Sequence, residues 1–148
     1  MQQIEVSRTI PAPLAAVFAR YTDHAGWSSW AGLGRVRLGR EGRPERDGTG
    51  CVRVIGGGPL AVHEEVLSFE PPRRMTYRVV KGLLPMRDHF GEVAFEAVPE
   101  GTRIVWRCRF ESALPGAGPA TAWVVRQVFA RVLRKLSALT FPAARAPA

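Results

Sequence analysis

A chain of 148 residues, 46% hydrophobic and 23% charged, has the length and composition of one ordinary soluble domain. No apolar run reaches the roughly 20 residues of a membrane-spanning helix, and the N-terminus lacks the apolar core of a signal peptide, so we expect a cytoplasmic protein without a transmembrane segment. The net charge of +8 comes mainly from arginines scattered beside glutamates, without a lysine-rich tail or zinc-finger pattern, so we expect no nucleic-acid partner.

The N-terminal part predicts one strand followed by two short helices. Apolar and polar residues alternate from Ile4 to Ile10, and the prolines that follow end this first strand. Pro13 suits the start of a helix, whose apolar face consists of Leu14, Val17, Phe18 and Tyr21. A second short helix would carry Trp27 and Trp30 on one side, because they are three residues apart.

Six further segments have strand character and are punctuated by proline and glycine: 35–40, 51–55, 60–69, 75–80, 88–98 and 102–110. The run Gly56-Gly57-Gly58-Pro59 predicts a hairpin turn, since no Gly-Lys-Ser/Thr follows it as in a phosphate-binding loop. Consecutive strands with short connections predict an antiparallel sheet.

The stretch from about Ala122 to Phe141 predicts a long amphipathic helix. Its apolar stripe consists of Val125, Val128, Phe129, Val132, Leu133, Leu136 and Leu139. Its polar face carries Arg126, Arg131, Arg134 and Lys135. Pro142 stops the helix, and residues 142–148 are expected to be a frayed tail of a single domain spanning 1–148.

The last two strands present one apolar face and one charged face. A two-residue turn at Glu100-Gly101 would place Phe95 opposite Trp106, Val93 opposite Cys108, and Glu92 opposite Arg109. Both apolar sets then lie on the concave side, which the long helix would cover, and much of the arginine excess lies on a solvated face. In the strand around Glu64, Leu67 and Phe69 compete with Val62 and Val66 for the inward face, unless a bulge intervenes.

Residues 4–23, followed by Trp27 and Trp30, resemble the START-related superfamily, whose fold also occurs in the major birch-pollen allergen. Residues 63–111 resemble its bacterial polyketide cyclase/dehydrase-like branch: a Glu-x-x-Val strand, the turn Pro71-Pro72-Arg73-Arg74, a Tyr strand and a Gly-Thr-Arg strand follow in the same order. The resemblance implies an α+β helix-grip fold, with a seven-stranded antiparallel sheet around the C-terminal helix and two short helices between strands 1 and 2. It also implies a cavity for an apolar ligand, but no particular activity.

Glu64 and His89 are the candidate acid/base residues. Glu64 has the parity of Val62 and Val66 and matches a glutamate that the family tends to carry, while His89 has the parity of Val93 and Phe95. A glutamate in an apolar pocket suits general acid or base catalysis. The alternative is that Glu64 pairs with a buried arginine or lies at the sheet edge, and that His89 caps the cavity mouth.

No metal or cofactor is expected, because His24, His63 and His89 lack ligand spacing and the two cysteines, Cys51 and Cys108, form no CxxC. Candidate ligand-binding residues share the predicted inner faces of sheet and helices, where plain core packing is the alternative: Trp27, Trp30, Tyr77, Val93, Phe95, Trp106, Cys108, Val128, Val132 and Leu136.

Three functions remain open at this point. The first is binding of a small hydrophobic or aromatic molecule in an internal cavity. The second is a polyketide cyclase or dehydratase that uses Glu64 and His89. The third is a membrane- or protein-interaction module that uses the basic helix face. The sequence decides neither the ligand nor whether the protein is a monomer or a homodimer.

Overall fold

The computed structural model describes residues 1–141 and shows one seven-stranded antiparallel sheet with two α-helices. The elements are β1 (Gln2–Ile10), α1 (Leu14–Thr22), a 3-10 helix (Ala25–Ser29), β2 (Val36–Arg40), β3 (Val52–Ile55), a 3-10 turn (Gly58–Leu60), β4 (Val62–Glu70), β5 (Arg74–Lys81), β6 (Met86–Val98), β7 (Gly101–Ser112) and α2 (Gly118–Ser137). The strand order is β1-β7-β6-β5-β4-β3-β2. This is the predicted α+β helix-grip architecture, and the predicted tail at 142–148 lies outside the described residues.

Helix α1 and the 3-10 helix close one side of the concave face. Pro13 precedes α1 in an extended conformation, and the buried side of the helix carries Val17, Phe18 and Tyr21. The indole Nε1 of Trp27 donates to the carbonyl of Tyr21 at 2.7 Å, which ties the 3-10 helix to the end of α1. Trp27 is thereby held with its ring inside the core.

Helix α2 begins and ends about four residues earlier than predicted, at Gly118 and Ser137 rather than Ala122 and Phe141. The early start is possible because a proline in the first turn lacks only a hydrogen that would have no helical partner. At the other end, the amide of Leu139 donates to the carbonyl of Leu136, a tighter turn that closes the helix.

The β6–β7 hairpin differs from the prediction by two residues. Its turn is formed by Pro99-Glu100, so Val93 pairs with Trp106 and Gly91 with Cys108. Likewise Phe95 pairs with Ile104, and Glu92 with Arg107. Gly101 is therefore the first residue of β7 and not part of the turn; its φ of 137° and its close approach to the backbone at residues 10–12 suit glycine, which has no side chain. Since the shift is even, both apolar sets keep the predicted face.

A bulge in β4 resolves the competition for its inward face. The β4–β5 register shifts between Val66 and Ser68, so that Val66 is buried and Leu67 is 39% exposed. Phe69 then returns to the core, where its ring centroid lies 5.4 Å from that of Phe18. Val66 and Phe69 can both face inward because the bulge changes the side-chain alternation.

The outer face of the sheet carries a chain of ion pairs. Arg107 contacts Glu5 at 3.0 Å and Glu92 at 3.4 Å, and Arg74 contacts Glu92 at 2.7 Å and Glu70 at 3.0 Å. These arginines therefore belong to a solvated, charge-balanced surface, as the strand pattern predicted. Within residues 1–141, no helix combines the length and apolar character that crossing a membrane requires.

Candidate functional site

A wholly buried arginine lies on β3, the last strand but one of the sheet. Arg53 on β3 has no exposed surface, and its Nε donates to Oε1 of Glu64 at 2.7 Å across the β3–β4 pairing. Burial disfavours the charged guanidinium, but the charge of Glu64 outweighs that effect, and the pKa of Arg53 is raised. Glu64 is itself only 8% exposed. The two side chains form a compensated internal ion pair.

Aromatic rings surround the guanidinium of Arg53. Its Cζ lies 4.6 Å from the ring centroid of Trp27, 4.9 Å from that of Tyr77 and 5.8 Å from that of Tyr21. Aromatic faces attract cations at such distances, and more strongly where water is excluded. These three rings therefore offset part of the free-energy cost of burying the arginine. They form no hydrogen bonds with its terminal nitrogens, Nη1 and Nη2.

Five buried side-chain polar atoms have no hydrogen-bond partner among the described residues. They are Nη1 and Nη2 of Arg53, Oη of Tyr21, Nδ1 of His24 and Nε1 of Trp30. Burial raises the pKa of Tyr21 and the nearby guanidinium of Arg53 opposes that rise, so the hydroxyl and the guanidinium are close neighbours although they are not aligned as a hydrogen bond. Buried polar atoms in native proteins almost always have a hydrogen-bond partner in the protein or in ordered water, so each of these atoms can take part in a further hydrogen bond.

His24 is buried in its neutral form beside Arg53. Its Nε2 lies 2.9 Å from the carbonyl oxygen of Asp47, which can only accept, so Nε2 carries the proton and Nδ1 is a free acceptor. Burial, assisted by the charge of Arg53, lowers the pKa of His24 to about 3. The site thus contains both donors and an acceptor, with one cation and one anion.

Tyr77 connects the arginine to the rest of the core. Its hydroxyl accepts a 2.7 Å hydrogen bond from Nε1 of Trp106, and its own hydrogen remains available to donate. Burial raises the pKa of Tyr77 well above its ordinary value, so the phenol stays neutral. Gly91 makes room for this ring, because a Cβ there would overlap the phenol.

His89 lies next to Tyr77, with ring centroids 5.4 Å apart, beyond a bulge where Asp88 has φ of 53°. The amide of Val79 donates to Nδ1 of His89 at 3.1 Å, which leaves the proton on Nε2. Burial lowers the pKa of His89, so the ring is neutral near pH 7. In this state His89 can donate a hydrogen bond through Nε2, whereas Nδ1 is already engaged.

The structure therefore brings Glu64, Tyr77 and His89 together around Arg53. All twelve predicted site residues are buried except His89 and Val128, which are half-buried. Arg53, Tyr21 and His24 were not among the predicted site residues. Arg53 could have been recognised from its spacing, because it is two residues from Cys51 and so lies on the same face of the strand. That places a charged side chain on an otherwise apolar face.

Aromatic side chains pack against one another between sheet and helix. The ring of Phe129 on α2 stacks on Trp106 with centroids 4.0 Å apart, and Trp106 in turn meets Tyr21 edge-on at 5.4 Å. An open groove of about 600 Å³ lies elsewhere, along β1, β6 and β7 beside Arg126. Of the predicted ligand-binding residues, that groove includes Cys108 alone. The predicted internal cavity thus stays a prediction.

The basic face of α2 is partly engaged within the chain. Arg126 donates through Nη1 to the backbone carbonyl of Glu5 at 3.3 Å, on the edge of β1. The side chains of Arg131 and Lys135 pack over Gly32. Three of the four predicted basic residues therefore contact other parts of the molecule.

Solved structures share this fold at low sequence identity. A protein from Thermobifida fusca superposes with a TM-score of 0.78 at 20% identity, covering 93% of this chain and 91% of its own. The protein Ara h 8.0201 gives 0.72 at 16%, covering 92% and 94%. DynU16, a protein of the dynemicin biosynthetic locus, gives 0.68 at 17%, covering 93% of this chain and 46% of its own. These likenesses show the fold alone.

A search of curated protein sequences found no match to this chain. The family model described as "Polyketide cyclase / dehydrase and lipid transport" matches residues 1–140, which include every strand and both α-helices. The expected resemblance is thereby confirmed, and the chain belongs to the polyketide cyclase/dehydrase and lipid transport family.

Proposed function

We propose that the protein binds a small, largely aromatic molecule between the concave face of the sheet and α2, with one ligand oxygen held by Arg53. The observation that carries this proposal is the wholly buried guanidinium, whose Nη1 and Nη2 have no partner among residues 1–141. A pocket with an apolar wall and a few convergent polar groups is the usual form of a small-molecule site.

The charges at the site favour an uncharged oxygen, such as that of a ketone, quinone or phenol. Arg53 is already balanced by Glu64. His24 and His89 are held neutral by burial, so neither supplies a second cation. A ligand carboxylate would therefore add an uncompensated negative charge to a dry interior. A neutral acceptor can use the free N–H groups without that penalty.

Entry of the ligand requires the stacked aromatic pair to separate. Phe129 covers one face of Trp106, and Trp106 is joined through Tyr77 to the guanidinium of Arg53. If the side chain of Phe129 turns away, an aromatic ligand can stack on Trp106 in the place of Phe129. The oxygen of the ligand would then point past Tyr77 towards Arg53. Trp106 then stacks on the ligand ring and no longer on Phe129, so the number of stacked rings is unchanged.

The proposal is tested with a matched pair of compounds, 2-acetylnaphthalene and 2-ethylnaphthalene, which differ in the carbonyl oxygen. Isothermal titration calorimetry of the wild-type protein is expected to show preference for the ketone by about tenfold, the worth of one hydrogen bond to a charged donor. The double variant Arg53→Met/Glu64→Met removes the whole ion pair and should bind both compounds equally. A wild-type protein without preference, or a double variant that keeps it, would contradict the anchoring by Arg53.

A second candidate function is a cyclase or dehydratase acting on a polyketide-like substrate. The observation that favours it is the meeting of Glu64, Tyr77 and Arg53 at one place. Arg53 would stabilise the oxygen of an enolate while Glu64, whose Oε1 accepts from Arg53, removes a proton from carbon. His89 would donate through Nε2. Because Glu64→Gln also removes the counter-charge of Arg53, its folding is checked by circular dichroism: the folded variant should lose turnover of a polyketone substrate, and equal activity of variant and wild type would exclude this mechanism.

A further inference from the structure

One end of the molecule concentrates the exposed apolar side chains. Apart from the first residue, seven large hydrophobic residues of the described chain are exposed, and six of them lie at this end: Leu60 (61%), Val80 (51%), Leu83 (64%), Leu114 (56%), Trp123 (64%) and Val124 (38%). The exception is Leu67 in the middle of β4. Scattered exposed leucines are normal, but such a concentration indicates an interaction surface.

Strand pairing shows that these residues share one end. Ile55 pairs with Val62, His63 with Lys81, and Met86 with Ser112, so the connections 56–61, 82–85 and 113–117 all leave the same side of the sheet. The amide of Ala113 donates to the carbonyl of Pro85 at 2.8 Å, which joins two of these connections directly. We call these three connections, with Val80 and the first seven residues of α2 (118–124), the apolar end.

The opposite end of the sheet has a different character. Its connections are 41–51, 71–73 and 99–100, and they carry exposed charged residues such as Arg43, Glu45, Arg73 and Glu100. No large hydrophobic side chain among those connections is exposed. Exposed apolar side chains are therefore concentrated on the connections at one end of the sheet. They are not a general property of the loops of this protein.

Positive charge accompanies the apolar side chains. Exposed basic residues near the apolar end are Arg35, Lys81, Arg87 and Arg126, and the exposed or half-exposed acidic residues there are Glu5, Asp88 and Glu111. Glu111 is paired with the terminal amine of Met1 at 3.4 Å. The apolar end thus combines protruding Leu and Trp side chains with an excess of cations, the combination that favours an anionic bilayer interface.

We propose that the apolar end docks on the surface of an anionic lipid bilayer. Leu60, Leu83 and Leu114 lie on three separate connections, and Trp123 lies on the second turn of α2. Their side chains would enter the headgroup boundary while the arginines and Lys81 contact lipid phosphates. Docking at this end requires no particular ligand, although an apolar ligand of the interior would partition into the same bilayer.

The test is co-sedimentation with vesicles of phosphatidylcholine alone and of phosphatidylcholine containing one-quarter phosphatidylglycerol. We expect the full-length protein to bind the anionic vesicles more strongly and to lose that difference at high salt, because screening weakens contacts between exposed charges. Leu83→Gln should reduce the partition coefficient by about tenfold, the effect of withdrawing one leucine from an apolar environment. Leu67→Gln is the matched control, since it changes an exposed leucine outside the apolar end.

A second readout locates the contact. Trp123 is exposed while the other three tryptophans are buried, so brominated lipids should quench wild-type fluorescence and fail to quench Trp123→Phe. Absent binding to anionic vesicles, equal loss in Leu67→Gln and Leu83→Gln, or quenching that survives Trp123→Phe would overturn the proposal. So would sedimentation equilibrium showing a dimer that Leu83→Gln dissociates, because the surface would then bind a second copy. Calorimetry with the naphthalene ketone needs no vesicles, so failure of docking and failure of the proposed function are distinguishable.

Discussion

Arg53 and Glu64 face each other across β3 and β4, with Nε and Oε1 2.7 Å apart and the arginine wholly buried. This pair decides the chemistry of the interior, because it supplies the charge on a surface otherwise formed by aromatic and aliphatic side chains. It also explains why Glu64 faces the core. The sequence allowed several roles for Glu64, and this geometry corresponds to one of them, pairing with a buried arginine.

Removing one partner of this pair is expected to destabilise the protein strongly. Arg53→Met leaves Glu64 without compensation and should lower the free energy of unfolding by about 3–5 kcal/mol. The double variant Arg53→Met/Glu64→Met should be near the wild type in stability, since apolar side chains of similar volume fill the site. Urea denaturation of both variants measures the difference. A single variant as stable as the double would mean that Glu64 reaches solvent once Arg53 is gone.

Gly91 is predicted to be essential for the position of Tyr77. A Cβ at Gly91 would overlap the phenol ring, so Gly91→Ala should displace Tyr77, break its hydrogen bond with Trp106 and cost about 1–3 kcal/mol. Gly57→Ala is the control, because a Cβ there meets nothing and φ is −133°. Thermal unfolding and near-ultraviolet circular dichroism of the tryptophans check this prediction. Equal stability of the two alanine variants would show that the ring moves without penalty.

The buried neutral His24 predicts acid sensitivity. Its pKa falls from an ordinary value of 6.5 to about 3 on folding, so below pH 6.5 the unfolded chain binds a proton that the folded chain does not. Stability is therefore lost as the pH falls from 6.5 towards 3. Between pH 6.5 and 4.5 the loss from this residue should approach about 2.5 kcal/mol. His89 acts in the same direction, because its pKa is also lowered.

The measurement is urea denaturation of the wild type and His24→Gln across this pH range. The variant starts from a lower stability, since its hydrogen bond to Asp47 is altered, but its stability should change less with pH. Parallel curves for the two proteins would assign the acid sensitivity to other groups whose pKa is lowered on folding, such as His89 or Glu65.

Phe129 is expected to control access to the interior. Phe129→Ala removes the ring that stacks on Trp106 and should lower the free energy of unfolding by about 3–4 kcal/mol. The space created beside Trp106 should admit 2-acetylnaphthalene more readily, so the ketone should raise the melting temperature of the variant more than that of the wild type. Leu133→Ala, another buried position on α2, serves as the control for general loosening. The same ligand response in both variants would argue against a specific role for Phe129.

Much of the fold could be predicted because apolar alternation and turn residues act locally. The strand pattern specified which faces of β6 and β7 are apolar, and this survived a register error of two residues. Gly101 was expected in the turn but starts β7, where it lies close to the backbone at residues 10–12, a neighbour far away in sequence. The first and last residues of α2 were predicted wrongly because they depend on the backbone geometry of the helix caps. The apolar stripe carries no information about that geometry.

The site was predictable only in part, for a similar reason. Glu64, Tyr77 and His89 were selected by strand parity, and each contributes to the surroundings of Arg53. Arg53 itself was missed because an arginine on a strand is ordinarily solvated, and its burial depends on the pairing of β3 with β4 and on three rings from other elements. His24 was considered only as a metal ligand, since nothing local shows that its ring is enclosed.

The buried ion pair also restricts how this sequence can change during evolution. Loss of either Arg53 or Glu64 alone leaves a lone charge in the interior, so a lineage that abandons the pair must pass through a poorly folding intermediate or change both codons almost together. Relatives that preserve the surrounding aromatic residues should therefore carry both charges or neither. Residues 53 and 64 should therefore covary among relatives. The presence of both charges would identify the members of the family that share this interior.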